Sequence, residues 1–433
     1  MLHSQLARLS RSALFSMLEK LEYGQLTIID KAPLSGGDPQ TISFGAKENV
    51  PGQPVAKLVV LDSSVWLRLC SNLDAGFAES YMLQHIEIDN LRNMFLIYIN
   101  SAGVLGNGSF IFQIIPAILR LFKPTNDPAR SLRNISFHYD ASNDLFAGFL
   151  SPDMNYSCPI WDPAERDESL EDAQVRKVHV NIEKARISPG HHVLDIGGGW
   201  GSLALEAAKT KGCRVTATTL SREQKALFDQ RIKDAGLQDR VECLVCDYRS
   251  TPKPDGGYDR IISVGMIEHV GKEHLDDYFG AISSLLNREN GIAVVQGITI
   301  INQFYKLHAN IDNFIERYVF PGGYLPNVAR MLNAVDTGSK GALEVESVQS
   351  IGPNYSKALR VWRENFERNW PSIRRSLEHV FSKMTESEIE AFRRKWVYYF
   401  TYCEAGFRSG ILTDHIVTAV RKPETAASLG VPI

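Results

Sequence analysis

The chain has 433 residues, more than a single ordinary core holds, so we expect two domains. Hydrophobic residues make up 44% and charged residues 22%, a composition typical of a globular protein. The net charge of −3 and the absence of a long basic run from the sequence argue against nucleic acid as the main partner.

Residues 1–125 are predicted to form a small separate α+β domain. Helical spacing runs from Ser10 to Leu21 and again from Leu83 to Tyr98, and strands are predicted at 25–30 and 56–61. This part of the sequence contains no cluster of acids, bases or nucleophiles. We therefore expect it to bind, to mediate dimerisation or to position a substrate rather than to carry the chemistry.

Six cysteines are scattered through the sequence, which favours a reducing compartment and predicts a cytoplasmic protein. Cys243 and Cys246 form a C-x-x-C pair on a predicted strand, where alternation places the two thiols on opposite faces. Since no second pair completes a zinc set, the sequence predicts no metal site. The N-terminus lacks the apolar run of a signal peptide, and polar residues interrupt the uncharged stretch between Arg92 and Arg120. We therefore expect no membrane-spanning helix.

Residues 126–433 alternate predicted strands and helices, which is typical of a doubly wound parallel sheet. Helical regions around 312–319 and 358–394 are predicted to be insertions or a cap over its carboxyl edge. The predicted strands lie at 192–196, 214–220, 241–246, 259–264 and 291–296, and the predicted helices at 171–185, 203–208, 222–235 and 274–286.

An apolar strand ending in Asp195-Ile196 runs directly into the cluster Gly197-Gly198-Gly199-Trp200-Gly201. Glycines let the backbone turn tightly and approach a ligand, and the next helix points its N-terminus at that ligand. The spacing differs from the G-x-G-x-x-G of dinucleotide sites, and the G-K-[ST] of a phosphate loop is missing. Asp195 would repel phosphate, but it accepts hydrogen bonds from an ammonium group. The pattern therefore favours a nucleoside with a cationic, amino-acid-like tail, and S-adenosylmethionine fits.

The next two strands end in side chains suited to the rest of such a nucleoside. Thr219, Ser221 and Gln224 offer hydroxyl and amide groups after one strand. After the following strand, Asp247 is placed to accept from the adenine amino group and Tyr248 to stack. Each residue alone is equally well explained as a helix cap. Their register at the carboxyl ends of successive strands favours a ligand site, because such sheets bind ligands at that edge.

Several segments between residues 138 and 420 combine aromatic, acidic and small polar residues in specific orders. They are His138-Tyr139-Asp140, Asn143-Asp144-Leu145-Phe146, Tyr156-Ser157-Cys158, Val193-Leu194-Asp195-Ile196-Gly197, Thr219-Leu220-Ser221, Met266-Ile267-Glu268-His269-Val270-Gly271, Phe320-Pro321-Gly322-Gly323 and Tyr355. In these segments the chain resembles the cyclopropane fatty acid synthase family, which includes the mycolic acid cyclopropane synthases. The resemblance implies a class I, Rossmann-like methyltransferase fold, and it adds Tyr139, Tyr156, Ser157 and Leu220 to the cofactor-binding residues. The first domain resembles the N-terminal domain of bacterial-type members, which is associated with lipid positioning and dimerisation.

The resemblance implies methyl transfer from S-adenosylmethionine to a double bond of an unsaturated acyl chain, giving a cyclopropane or methyl-branched lipid. The alkene becomes a carbocation, which must be kept from water until a bound bicarbonate takes its proton. The family's bicarbonate cage corresponds here to Cys158, Glu268, Gln296, Ile298 and Tyr355. Aromatic rings are expected to stabilise the cation through their π faces, with ordinary core packing as the alternative. These rings are Tyr139, Phe146, Tyr318 and Phe320.

Gln296 stands where the cyclopropane synthases have His. Gln donates and accepts hydrogen bonds but cannot relay a proton, so methyl-branched, methylene and hydroxylated products become alternatives to a cyclopropane. Cys403 matches a cysteine position of the family. We expect it to line the site, and a direct chemical role is the alternative.

The sequence therefore predicts an S-adenosylmethionine-dependent C-methyltransferase that acts on lipid acyl chains. A methyltransferase of the same fold acting on a soluble secondary metabolite, and a non-catalytic lipid-binding relative, are the alternatives. The expected partners are a lipid acyl chain, a membrane surface in transient contact and a second copy in a homodimer. We expect a cytoplasmic location that is peripheral to the membrane.

Overall fold

The computed structural model describes residues 2–34, 38–46, 50–105, 142–308 and 313–422. The chain divides into two compact units, each with its own sheet. The first unit comprises residues 1–140, 310–321 and 366–409, and the second comprises 141–309, 322–365 and 410–433. The predicted domain boundary between residues 125 and 126 lies outside the described residues.

The first unit is built on a sheet with the strand order β2-β1-β3-β4. In β1, buried and half-buried residues alternate, so that one face of the strand packs on the core of this unit. The elements of its N-terminal part are α1 (Leu2–Leu18), β1 (Gln25–Asp30), β2 (Gln40–Gly45), β3 (Val55–Val60), α2 (Val65–Ser71), α3 (Leu73–Met82), β4 (Ile86–Ile88) and α4 (Leu91–Leu105).

Two short edge strands of this unit differ from the sequence prediction. The predicted helix from Leu83 to Tyr98 is wrong over its first part, because Ile86–Ile88 forms β4 and α4 begins only at Leu91. β4 pairs antiparallel with β3, so its backbone groups bond to the sheet and not within a helix. β2, which the sequence analysis did not predict, pairs antiparallel with β1.

The second unit contains a larger sheet with the strand order β10-β11-β9-β8-β5-β6-β7. Five neighbouring strands run parallel, β11 pairs antiparallel with β9, and β10 pairs antiparallel with β11. The predicted α/β doubly wound fold is confirmed. The elements of this unit are α5 (Asn143–Ala147), α6 (Leu170–Lys184), β5 (His192–Ile196), α7 (Ser202–Lys211), β6 (Arg214–Thr219), α8 (Arg222–Asp234), β7 (Val241–Val245), β8 (Arg260–Val264), α9 (Leu275–Leu285), β9 (Ile292–Ile300), α10 (Asn302–His308), α12 (Val328–Ser339), β10 (Leu343–Ser350) and β11 (Leu412–Arg421).

β5 and β8 lie side by side in the middle of this sheet and are almost entirely buried. Parallel strands are covered on both faces, which explains their nearly continuous apolar sequences. The chain leaves β5 towards β6 on one side and later returns to β8 on the other. Such a reversal of strand order opens a crevice at the carboxyl ends of the strands, which is where open α/β sheets bind ligands.

The predicted helical region at 358–394 consists of two helices. The long helix α13 (Pro353–Val380) belongs to the second unit up to residue 365 and to the first unit beyond it, which also contains α11 (Phe314–Tyr318) and α14 (Glu386–Arg408). Thr385 starts α14 with a reciprocal cap: its side chain accepts from the Glu388 amide, and the Glu388 carboxylate accepts from the Thr385 amide. Within the described parts of the chain, none of the helices has both the length and the apolar character to cross a membrane.

Candidate active site

The glycine loop after β5 adopts the conformation that its sequence predicts. Gly197, Gly199 and Gly201 all have positive φ angles, of +78°, +55° and +92°. A side chain at Gly201 would overlap the ring of Phe228 in α8, so this position needs glycine for space as well as for its backbone angle. Gly201 immediately precedes α7, and the free amides at the start of that helix therefore lie at the carboxyl edge of the sheet.

Asp195, the last polar residue of β5, is a buried acid with unused hydrogen-bonding capacity. Its side chain is 2% exposed, and its Oδ2 atom has no hydrogen-bond partner among the described residues. Burial raises the pKa of the Asp195 carboxyl to about 7, against an opposing effect of the Lys177 charge. A cationic ligand group beside Asp195 would favour its ionised form.

Lys177 is a site residue that sequence reasoning missed. It lies in α6, is fully buried, and donates from Nζ to Asn155 Oδ1 at 2.8 Å and to Ser157 Oγ at 3.0 Å. Burial lowers the pKa of the Lys177 ammonium to about 8. The predicted cofactor residue Ser157 is thus tied to the same ammonium group whose charge acts on Asp195.

An aromatic cluster lies beside the glycine loop. Trp200 donates from its indole N–H to Asn143 Oδ1 at 2.7 Å, and its ring lies 5.1 Å from that of Phe146. Phe146 also contacts Tyr156, whose ring lies 5.3 Å from that of Trp362. The structure therefore brings three predicted residues together: Phe146, Tyr156 and Trp200. Tyr139, another aromatic residue predicted for this site, lies outside the described residues.

The residues after β6 bond mainly to one another. Ser221 caps α8 by accepting from the Gln224 amide at 3.1 Å, and Thr219 donates to the Gln224 side-chain oxygen at 2.6 Å. Leu220, between them, is 67% exposed. All four predicted residues thus lie at or just beyond the carboxyl end of β6. The hydroxyl groups of Thr219 and Ser221 form hydrogen bonds with Gln224 in the first turn of α8.

Asp247 and Tyr248 follow β7. Asp247 accepts hydrogen bonds from the Arg249 side chain, and these lower the pKa of the Asp247 carboxyl. The Tyr248 ring is buried and lies edge-on, 5.1 Å from the ring of Tyr278. Tyr248 thus makes core contacts in the structure, whereas Asp247 stays at the edge of the sheet.

Glu268 is a buried acid in the turn that follows β8. Its Oε1 accepts from the backbone N–H of Ile298 at 2.6 Å, while Oε2 has no partner among the described residues. Burial raises the pKa of the Glu268 carboxyl to about 7, although the Ile298 hydrogen bond opposes this. A carboxyl whose pKa lies near neutrality is suited to accept a proton.

Cys158 and Tyr355 are buried in the same region. The Cys158 thiol donates towards the carbonyls of Pro159 and Ile351, and burial raises its pKa well above the usual value. Burial also raises the pKa of the Tyr355 phenol, and the charges of Asp414 and Glu268 act in the same direction. Both groups are therefore neutral at physiological pH, whereas the pKa of the Glu268 carboxyl lies within that range.

Gln296 is fully buried in β9 and engaged at both ends of its amide. Its Oε1 accepts from Asn181 Nδ2 at 3.0 Å, and its Nε2 donates to the Cys158 carbonyl at 3.3 Å. It also donates to the carboxyl of Asp414 in β11. Neither Asn181 nor Asp414 was singled out from the sequence, although an acid within the apolar strand around Asp414 is an unusual feature that could have been noticed.

The remaining predicted residues belong to the first unit. Burial raises the pKa of the Cys403 thiol in α14 to about 12, which leaves it protonated and poorly nucleophilic. The Tyr318 hydroxyl donates to Glu79 Oε1 at 2.7 Å, and the Phe320 ring packs 6.0 Å from that of Tyr399. Over the described ranges, no group of His, Cys, Asp and Glu is arranged to hold a metal ion.

A family model described as mycolic acid cyclopropane synthetase matches residues 126–416, which is more than half of the chain. The chain belongs to this family. The family membership implied by the sequence motifs is confirmed, and the chain is an S-adenosylmethionine-dependent methyltransferase.

Similar proteins span most of this synthetase-family chain. It is 36% identical over 353 residues to the tuberculostearic acid methyltransferase of Mycobacterium tuberculosis, covering 80% of this chain and 79% of that protein. It is 33% identical over 362 residues to the cyclopropane-fatty-acyl-phospholipid synthase of Escherichia coli K12, covering 83% of this chain and 86% of that protein. The solved mycolic acid cyclopropane synthase CmaA1, complexed with SAH and CTAB, is 27% identical with a TM-score of 0.57, covering 69% of this chain and 99% of that chain.

Proposed function

We propose that this enzyme transfers the methyl group of S-adenosylmethionine to a double bond of an unsaturated lipid acyl chain. In this proposal Glu268 lies where the resulting carbocation loses its proton. The observation that carries the proposal is the buried Glu268 carboxyl, with a pKa near 7, in the turn after β8 and beside the crevice of the sheet. The names of the relatives, which include a fatty-acyl-phospholipid synthase, support an acyl lipid as the substrate.

Residues of the glycine loop and of β5 are assigned to the cofactor. S-adenosylmethionine supplies an electrophilic methyl group on a positively charged sulfur. The amides at the start of α7 and the tight turns at Gly197 and Gly199 let the backbone approach its amino-acid part. Asp195 is the acceptor for its ammonium group, which matches the unused Oδ2 atom of that carboxyl.

Part of the second unit suits a reaction that passes through a carbocation. Phe146, Tyr156 and Trp200 form an aromatic cluster beside the glycine loop. The faces of such rings stabilise positive charge, and their apolar packing limits the access of water. Cys158 and Tyr355 stay neutral because burial raises the pKa of each. Glu268 is therefore the member of this set that is available as a base near neutral pH. The bicarbonate implied by the family resemblance stays a prediction.

The acyl chain is the apolar substrate of this reaction, and we assign the task of positioning it to the first unit. That unit contains an apolar cavity of about 100 Å³. Side chains from β1, α2, α3, α4 and α14 line it, among them Leu26, Trp66, Phe77, Phe95, Tyr398 and Tyr402. An apolar cavity of this kind favours methylene groups over polar ligands. The homodimer, the membrane contact and the cytoplasmic location stay predictions.

The proposal is tested with purified enzyme, S-adenosylmethionine and vesicles of dioleoyl phosphatidylcholine. We expect release of S-adenosylhomocysteine and an acyl chain whose mass increases by CH₂, or by CH₃ plus H for a methyl-branched product. Vesicles of dipalmitoyl phosphatidylcholine, which lack the double bond, are the matched control and should give neither. Turnover of a soluble metabolite without any turnover of unsaturated lipids would contradict the acyl substrate.

The affinity for S-adenosylmethionine should depend on pH through Asp195. Because a cationic group binds the ionised carboxylate, affinity should fall as the pH drops below the Asp195 pKa of about 7. The decrease should approach about tenfold per pH unit, since each unit adds about 1.4 kcal/mol for deprotonation. Isothermal titration calorimetry between pH 5.5 and 8.5 measures this dependence. Asp195→Asn should bind more weakly and lose this pH dependence, and an unchanged dependence in that variant would contradict the assignment.

A further inference from the structure

Asp414 is a buried acid that has no assigned role in the proposed reaction. It lies in β11 with its side chain 2% exposed, and its Oδ1 atom has no partner among the described residues. An unpaired polar atom in a protein interior costs free energy. Groups buried at such a cost often occur where the chemistry uses them.

The strand register places Asp414 beside the residues of the candidate site. Asp414 pairs with Ile298 across the β9–β11 ladder, and Ile416 pairs with Gln296. Directly opposed residues of an antiparallel pair project to the same face, and residues two apart on one strand share that face. Asp414, Gln296 and Ile298 therefore lie on one face of the sheet. The Ile298 amide is the group that donates to Glu268 at 2.6 Å.

Gln296 holds the Asp414 carboxyl in place. The Gln296 amide group donates to Asp414 and to the Cys158 carbonyl, and its oxygen accepts from Asn181. Both N–H bonds of this side chain are thus used, and the orientation of the amide is fixed by its neighbours. Gln296 acts as a positioning residue for Asp414.

The five cage positions fit a bound bicarbonate poorly in this chain. Both N–H bonds of Gln296 are used within the protein, the Cys158 thiol points towards two carbonyls, and the Ile298 amide bonds to Glu268. Two carboxyl groups, Glu268 and Asp414, also lie in this region. Burial raises the pKa of the Asp414 carboxyl well above its usual value, and the Glu268 charge acts in the same direction, so that a third anionic group beside them would be disfavoured further.

We propose that Asp414 and Glu268 form a carboxyl pair that accepts the proton of the carbocation, in the role that the family resemblance assigns to bicarbonate. This inference rests on the proposed function. The alkene electron pair forms a bond to the methyl carbon, and the carbon–sulfur pair stays on sulfur. A C–H bond of the cation then breaks: its electron pair closes the ring or forms a new double bond, and its proton goes to the ionised carboxylate. The two acids share one negative charge, as neighbouring buried carboxyls do.

The test measures S-adenosylhomocysteine release from dioleoyl phosphatidylcholine vesicles by the full-length enzyme. The side chain in Asp414→Asn has nearly the same size but cannot accept the proton. We expect its turnover to fall by at least about 100-fold while its affinity for S-adenosylmethionine stays at the wild-type value. Asp414→Ala leaves space for a small carboxylate, and added formate should restore part of its turnover. Asp255→Asn, the same exchange at an exposed acid in the loop before β8, should turn over like wild type.

The wild-type enzyme gives a second readout that does not depend on any variant folding. Its turnover should be the same in buffer stripped of carbon dioxide as with added bicarbonate. A wild type that needs bicarbonate, an Asp414→Asn variant with wild-type turnover, or an Asp414→Ala variant that formate does not restore would each overturn the carboxyl pair. Failure of the wild type to methylate any unsaturated lipid would instead overturn the proposed function, so the two failures are distinguishable.

Discussion

Glu268→Gln is expected to abolish turnover and to leave the binding of S-adenosylmethionine nearly intact. Gln keeps the size of the side chain and the acceptor for the Ile298 amide, so the turn after β8 retains its hydrogen bond. It cannot accept a proton at neutral pH, and loss of a general base lowers rates by about 10² to 10⁴-fold. Turnover is measured as S-adenosylhomocysteine release, and cofactor affinity is measured by calorimetry.

Glu273→Gln is the matched control for this change. Glu273 is an exposed acid a few residues further along the same connection, so its replacement removes one negative charge without touching the buried site. This variant should turn over like wild type. If Glu268→Gln retained wild-type activity, Glu268 would not take part in the proton transfer. If it lost cofactor binding together with turnover, its role would be in building the site.

The fold of the second unit could be predicted because its sequence pattern is strongly periodic. Long helices separate short apolar strands, and this alternation produces a parallel sheet whenever the connections are right-handed. The first unit was harder to predict because β2 and β4 are edge strands, and β4 is also short. Ile86–Ile88 has three residues, too few for an alternating pattern to stand out from the helical spacing that surrounds it.

Two of the predicted site residues, Asp195 and Glu268, lie at or just beyond the carboxyl ends of strands in the structure. Asp195 and Glu268 come at the ends of apolar runs, where an acid is conspicuous in the sequence and where parallel sheets bind ligands. Lys177 was not predicted, because a lysine on a helix is most often exposed and its burial depends on the packing of α6. Asn181 became visible only through its hydrogen bond to Gln296, and the strand register shows which residues Asp414 lies beside.

Helix caps and ligand groups have the same sequence signature, which limits prediction at the ends of β6 and β7. Ser221 accepts from an amide of α8, and Asp247 accepts from the Arg249 amide and side chain. A helix or turn favours such residues at its first position, and a ligand site favours the same residue types. The sequence could therefore place them at the correct edge, but it could not separate the two functions.

Gly201→Ala is expected to lower the affinity for S-adenosylmethionine. A Cβ atom there would overlap the ring of Phe228, which is completely buried in α8 and has no space to move into. The φ angle of +92° adds backbone strain of about 1–2 kcal/mol. The loop and the start of α7 must therefore shift together. Because about 1.4 kcal/mol corresponds to a tenfold change in affinity, we expect a loss of at least about tenfold by calorimetry.

Gly236→Ala separates the overlap from the backbone strain. Gly236 follows α8, has a φ angle of +65°, and a Cβ atom there would meet no atom within 4 Å. This variant should lower the melting temperature through strain alone and keep wild-type affinity for S-adenosylmethionine. Gly201→Ala should lose both stability and affinity, since it combines the strain with the overlap at Phe228. Equal affinities in the two variants would show that the cofactor does not depend on the close approach of the glycine loop to α8.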